Sequence, residues 1–435
     1  MQPPPDPTFL HGLWTVLTLR AGFNTTTVLL GTAMLGLASG VVGSFALLRK
    51  RSLTADAIAH AMLPGVASAY LVASGLGAQG KALPVLLLGG AAAGIAGAAA
   101  MHAITRLTRL EEDAAIGITL SVTFGLGVVL LSYVQRGPRG AAAGLHHFVF
   151  GQTAAMLPHD AALMGGIALA ALLLGALLLK ELRLVAFNAP FAQSIGLPVQ
   201  ALDLALLTLI VLATVAGIQA VGIVLVIALL IIPPAAARFW SDRSSRMVAL
   251  GAAIGALSGY LGAAVSALAP DVPAGAAIVL TAGAIFFVSM LFAPRRGAIA
   301  TAARAAWHRF RIATDHALET LYLAHTQDQT HPPRRQVITR PVAWYLRAAR
   351  LAQSSRVADG GGARLAPTRA GLALGAQLRR NHLLWEEYLV AYADIARTHT
   401  DWPTDQAEHI LDDAIIQRLE TALEKRGIQL PPSPS

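Results

Sequence analysis

Cysteine is absent from the 435 residues, so neither a disulfide framework nor a thiolate metal site is available. Charge is scarce. Asp, Glu, Lys and Arg make up 13% of the chain, against about 25% in an ordinary soluble domain. Hydrophobic residues make up 55% and the mean hydropathy is +0.58, which is the composition of a membrane protein. Aromatics are few, at 6%. Trp and Tyr are sparse in the apolar runs, so the aromatic belt that marks membrane interfaces is faint. The Pro-rich start, Met1 to Phe9, has no basic region ahead of an apolar run, and a cleaved signal peptide is not expected. The charges gather after residue 294, so the last third of the chain has a composition that can fold in water.

What is present is a series of long apolar runs, near 25–48, 55–74, 83–105, 115–134, 160–180, 201–217, 219–237, 247–268 and 273–293. Each approaches the roughly 20 residues that a membrane helix needs. The run from 201 to 237 is almost unbroken, so its division is the least secure. The expected fold is all-α: a polytopic transmembrane bundle of eight or nine spans over 25–296, after an N-terminal segment, 1–24. One set of loops carries Arg49, Lys50, Arg51, Arg106, Arg109, Lys180, Arg183, Arg238, Arg243, Arg246, Arg295 and Arg296. The alternate set carries only Lys81, Arg136 and Arg139. Basic loops stay in the cytoplasm. The C-terminal region is therefore expected inside and, with nine spans, the N-terminus outside. Gly36/Gly40, Gly90/Gly94 and Gly251/Gly255/Gly259 recur at four-residue spacing, which lets helix backbones approach closely in lipid.

Phe187 to Pro198 (FNAPFAQSIGLP) interrupts the apolar pattern on the basic side. Asn188–Pro190 starts, and Gly196-Leu197-Pro198 ends, a short amphipathic helix. It is either a plain loop helix or a docking helix for a cytoplasmic partner. Gly75-Leu-Gly77-Ala-Gln-Gly80-Lys81-Ala82 nearly matches two phosphate-binding patterns. A phosphate cradle needs a strand before it and a Ser or Thr hydroxyl for magnesium. Here an apolar helix precedes and Ala82 replaces the hydroxyl, so an ATP site is not expected and any ATP must be bound by another subunit.

Asp56 and His60 stand one helical turn apart inside the second apolar run, on one helix face. An ionisable group in hydrocarbon costs at least ~2.5–3.5 kcal/mol, so such residues line a pathway or pair with each other. A carboxylate oxygen and an imidazole nitrogen also suit a divalent transition metal. At 1.5 Å per residue His60 lies roughly 13 Å inside the run, near the middle of a ~30 Å core. Pro64-Gly65 follows and loosens the helix ladder. His102 falls near an interface, and Asp203 begins a helix as a cap or an interface residue. The stretch Ser52-Leu-Thr-Ala-Asp56-Ala-Ile-Ala-His60-Ala-Met-Leu-Pro64-Gly65-Val66-Ala67 resembles the signature of the zinc, manganese and iron ABC transporter permeases. Phe187–Leu204 resembles that family's coupling segment, and Ala220–Arg238 its late span and basic loop. The resemblance runs in order over roughly residues 20–296. It implies a bacterial inner-membrane permease, homodimeric or paired with a second permease. It also implies an ATPase subunit docked near 187–198 and an extracytoplasmic metal-binding protein, with Asp56 and His60 touching the metal in transit. No covalently bound cofactor is expected, and Mn²⁺, Fe²⁺ or Zn²⁺ is the cargo and a potential regulator.

The remainder divides by charge. Residues 295–380 hold 15 basic and 4 acidic residues, whereas 381–435 hold 4 and 10. His316/Glu319, His382/Glu386 and Asp405/Glu408/His409 each place imidazole and carboxylate on one helix face, and three such segments could converge on a metal. In order, Thr314–Tyr322, Leu365–Gly371, Arg380–Glu386 and Asp405–His409 resemble the iron- and manganese-dependent repressors. This implies a degenerate winged helix over 297–371 and a helical metal-binding and dimerisation region over 372–435. The resemblance puts His316, Glu319, His382, Glu386, Asp405, Glu408 and His409 on ligand positions. A basic recognition helix from Thr339, its cap, to Arg356 and a wing tip at Gly360-Gly361-Gly362 are expected. The helix before them is broken at Pro332-Pro333, and DNA is not an expected partner for a domain tethered beside the membrane. The region is a metal sensor acting on transport or a vestigial dimerisation module. Against the importer stand a membrane-tethered metal-responsive regulator and an ion-coupled secondary transporter.

Overall fold

The computed structural model describes residues 12, 14–76, 83–136, 156–269, 272–326, 338–355, 364–392 and 413–425. The chain forms two compact units, Met1–Ala300 and Thr301–Ser435.

The first unit is helical throughout its described residues: α1 (Phe23–Leu48), α2 (Ser52–Gly75), α3 (Leu83–Leu107), α4 (Glu112–Arg136), α5 (Pro158–Leu177), α6 (Leu179–Phe187), α7 (Ala189–Ser194), α8 (Val199–Val221), α9 (Ile223–Trp240), α10 (Ser244–Leu268) and α11 (Ala274–Phe292). Eight of these are long and apolar enough to cross a membrane, and α9 is a shorter apolar helix. The division of the long run falls at Gly222, whose φ of 83° ends α8; a residue without Cβ takes that angle at little cost.

Small residues set the packing. A Cβ on Gly36 would run into the Gly255 carbonyl, and one on Gly255 into the Gly36 carbonyl. Gly40 meets Gly251 in the same way, and Gly259 meets Thr32. The Thr32 hydroxyl donates across this seam to the Gly259 carbonyl at 3.1 Å. α1 and α10 thus touch backbone to backbone at the centre of the unit. A second seam joins α2 to α3, where Gly65 faces the Gly89 carbonyl. At a third point Pro234 has no N–H for the Leu230 carbonyl, and that carbonyl occupies the space a Cβ on Gly43 would need. Phe45, Leu35, Ile58, Leu206 and Ile210 fill the main core.

The second unit contains α12 (Ala298–Thr326), which begins at its edge, then α13 (Arg340–Ala348), an antiparallel pair β1 (Ala352–Ser355) and β2 (Arg364–Pro367), α14 (Arg369–Tyr392) and α15 (Asp413–Lys425). Ala352 pairs with Pro367 and Ser355 with Arg364. Ala317, Leu318, Leu321, Val342, Leu346 and Ala352 form the core. Among the described residues the order is helix, short helix, hairpin, helix. The expected recognition helix is shorter than the sequence indicated. It stops at Ala348 because Arg350 turns left-handed, with φ 57°, and residues 352–355 pair as a strand. Thr339 holds the N-cap position, but its side chain makes no capping hydrogen bond. Gly360-Gly361-Gly362, Pro332 and Pro333 lie outside the described residues.

Candidate functional site

α2 starts immediately after the Arg49-Lys50-Arg51 turn, and its second and third turns carry Asp56 and His60. His60 Nε2 lies 3.3 Å from Asp56 Oδ1. The two side chains are 22% and 26% exposed, whereas their neighbours Ala57, Ile58 and Ala59 are buried. The pair is therefore partly exposed beside buried neighbours on α2. Phe124 of α4 sets its ring edge-on to the imidazole, with centroids 5.1 Å apart. His60 Nδ1 is buried and, among the described residues, has no hydrogen-bond partner. Leaving such an atom unsatisfied costs about 1–3 kcal/mol. Pro64, one turn on, offers no N–H to the His60 carbonyl and rests against Gly127 of α4. An anion and an imidazole lone pair at this spacing can hold a divalent cation in transit. Two ligands are too few to hold it firmly.

His102 is exposed on α3. Asp203 is not a cap, because α8 begins after Pro198. Its carboxylate instead accepts two 2.7 Å hydrogen bonds from Arg49. Phe124 and the Arg49–Asp203 pair were not singled out by the sequence. The available signal was an acid placed where an apolar run begins, opposite a loop with three basic residues.

The segment after α6 folds as the punctuation predicts. Asn188 Oδ1 accepts from the Phe191 N–H at 3.0 Å and caps α7. Gly196, at φ 86°, turns the chain into α8. Phe187, Phe191 and Ile195 are 76%, 51% and 54% exposed, an apolar surface on α7 and the residues flanking it.

In the second unit His316 and Glu319 lie on α12, and His382 and Glu386 on α14. Among the described residues no three His, Asp or Glu side chains come together as a metal cluster. Asp405, Glu408 and His409 lie outside the described residues. Glu319 pairs with Arg379 of α14 at 3.2 Å, both side chains 12% exposed. Gly375, one turn earlier, sits against the Leu318 carbonyl and Tyr322. Arg380 ties α14 to Glu420 of α15 at 2.6 Å. Arginines thus occupy acids on both flanks of α14. Removing one partner of so enclosed a pair strands a charge, at a cost of about 3–5 kcal/mol. Arg379→Met should lower the thermal midpoint of the second unit by several degrees, and Arg379→Met/Glu319→Leu should recover most of it. Scanning fluorimetry on the full chain reads both.

Comparison with known proteins follows this division. Residues 368–427 match the metal-binding and dimerisation domain of iron-dependent repressors. The probable metal transport system membrane protein of Chlamydia trachomatis is 26% identical over 420 residues, 91% of this chain and 92% of its own, so that relative spans both units. Over the first unit the similarity is higher. The manganese transport system membrane protein MntC of Bacillus subtilis is 42% identical over 69% of this chain and 68% of its own. The zinc transport system membrane protein TroC of Treponema pallidum is 40% identical over 70% of this chain and 98% of its own. The solved structure of PsaBC from Streptococcus pneumoniae in complex with Fab aligns with a TM-score of 0.55 at 31% identity. It covers 66% of this chain and 96% of that one. Residues 23–293, the whole set of apolar helices around Asp56 and His60, match the ABC 3 transport family, and the chain is a multi-pass membrane protein belonging to it.

Proposed function

We propose that the chain is the membrane-spanning subunit of an ATP-driven importer of divalent transition-metal ions, with manganese as the foremost cargo and zinc or iron as the competing assignments. The observation that carries this is the Asp56/His60 pair, partly exposed on an apolar helix, with a buried imidazole nitrogen that lacks a partner among the described residues. Two ligands per chain favour a dimer of permeases. In such a dimer two copies of α2 bring together four groups, an oxygen and nitrogen set suited to Mn²⁺, Fe²⁺ or Zn²⁺. The names of the relatives support metal as cargo. Transport is alternating access, with the site open to each side in turn. Orientation follows the basic loops, which put Arg49–Arg51, α7 and the second unit in the cytoplasm of a bacterial inner membrane. Metal is delivered from the other side by an extracytoplasmic binding protein.

The chain is not itself the ATPase in this reading. A cytoplasmic nucleotide-binding subunit docks on α7 through Phe187, Phe191 and Ile195. Phe191→Asp should weaken that docking by roughly 10- to 100-fold, the equivalent of about 1.5–3 kcal/mol for one buried aromatic. Loss of co-purified ATPase, with the permease still in the membrane, checks it. Uptake that survives this change would favour an ion-coupled carrier instead.

The second unit is assigned a regulatory role, supported by the order helix, short helix, hairpin, helix among its described residues and the repressor-type match over 368–427. Metal regulation through Glu319 requires Arg379 to leave it, with His316, His382, Glu386 and the 405–409 segment completing the set. Radioactive manganese uptake by cells with the complete system, competed by cold zinc and ferrous iron, tests the main reading. Uptake that none of these metals competes for or enters by would overturn it.

A further inference from the structure

At the basic end of the first unit, Arg49 grips the chain on both sides of α7. Its Nη1 donates to the Val185 carbonyl on α6 at 2.9 Å, and its Nη2 donates to both Asp203 oxygens on α8 at 2.7 Å. Arg51 takes the same carboxylate at 3.2 Å and, through Nε, Glu112 at 3.2 Å. The side chains of Arg49, Arg51 and Asp203 are 12%, 19% and 17% exposed. Asp203 therefore serves two arginines at once.

The elements joined in this way are not arbitrary. Arg51 is the residue before α2, whose next turns carry Asp56 and His60. Glu112 opens α4, which carries Phe124 against the His60 ring. Asp203 stands one turn into α8, just after α7. The turn that carries the arginines is itself fixed. Lys50 is left-handed at φ 58°, and the Arg51 N–H donates to the Ala46 carbonyl at 2.8 Å. A displacement of α7 thus reaches α2 through Asp203 and Arg51, and α4 one ion pair further on, through Arg51 and the half-exposed Glu112. Partly buried ion pairs add little net stability compared with apolar packing. What a bidentate pair provides is fixed geometry.

We propose that Asp203 is a positioning residue for transport, the carboxylate that couples the docking helix α7 to the helix bearing Asp56 and His60 and, by way of Arg51 and Glu112, to the helix bearing Phe124. The inference rests on the importer reading above. It is tested with the complete transporter in proteoliposomes, measuring manganese import, ATP hydrolysis and equilibrium manganese binding on the same preparations. Asp203→Asn keeps the shape and removes the charge. Import is expected to fall by about 10-fold or more, within the range of ordinary coupling energies. Manganese binding and ATP hydrolysis continue, so metal moved per ATP drops. Asp203→Glu restores import to within a few-fold. Import, binding and hydrolysis falling in proportion would mean a merely structural role, and unchanged import in Asp203→Asn would mean no role; either overturns the inference alone. A wild-type transporter that binds and imports no divalent metal overturns the importer reading, and this inference with it.

Discussion

Asp56→Ala should reduce metal uptake by cells expressing the complete transporter by at least about 100-fold, with the protein still present in the membrane at its normal level. In the importer reading the carboxylate is one of two proposed metal ligands, 3.3 Å from the other. Replacing even an outer partner of a metal ligand costs ~10–100-fold, and here a ligand itself is lost, from both copies in a homodimer. The desolvated cation also loses an opposite charge inside the membrane, where effective attraction is several-fold stronger than in water. Asp56→Asn separates the two contributions. It keeps one oxygen at the same place without the charge, and an intermediate rate would assign the remainder to electrostatics. His60→Ala should be nearly as severe as Asp56→Ala, because the imidazole is the second proposed ligand and Asp56 loses its 3.3 Å neighbour. Uptake of manganese that ignores Asp56→Ala while zinc or iron uptake depends on it reassigns the cargo. If uptake of all three metals is indifferent, the pair only bridges helices, and the regulatory reading of the second unit takes precedence.

The sequence exposed this part of the molecule well, because its physics is one-dimensional. Apolar runs bounded by Arg49–Arg51, Arg106–Arg109 or Arg243–Arg246 must be helices in lipid, where every backbone group has to be satisfied internally. Their observed limits differ from the expected ones by a few residues. The Asp56/His60 spacing is likewise local, and so is the Asn188 cap. Local reasoning failed where the partner is distant. Nothing in the pattern Arg347-Ala-Ala-Arg350-Leu-Ala-Gln-Ser marks a helix end. The Ala352–Ser355 strand exists because residues 364–367 pair with it, not because Ala, Gln and Ser favour strands. Asp203 looked like a cap because its 2.7 Å partner stands 154 residues earlier. Glu319 looked like a free ligand because Arg379 is 60 residues later. An acid that could bind metal and an acid already neutralised by arginine have the same one-letter code.

The second large effect concerns the fold. Gly255→Leu, or the reciprocal Gly36→Leu, should leave little folded protein. In lipid no hydrophobic force holds helices together, so α1 and α10 depend on close backbone contact, many small dispersion terms and hydrogen bonds such as Thr32 to Gly259. At Gly255 the first added carbon meets backbone, the Gly36 carbonyl, rather than the far end of a movable side chain. Gly36 meets Gly255 the same way, so neither helix can yield without separating the other seam contacts at Gly40/Gly251 and Thr32/Gly259. Overpacking a core costs about 1–3 kcal/mol even where side chains can shift. Four carbons against rigid backbone should exceed that and approach the whole stability of the bundle. Gly283 supplies the internal control. It also lies in an apolar helix, α11, but a Cβ there meets nothing within 4 Å. Gly283→Ala should therefore be neutral or stabilise by up to about 1 kcal/mol through helix propensity. Size-exclusion profiles and thermal midpoints in detergent separate the two outcomes. Equal tolerance at positions 255 and 283 would mean that the α1–α10 seam is not what holds the bundle. Failure at 36, 40, 251, 255 and 259 with tolerance at 283 would mean that this seam holds the bundle.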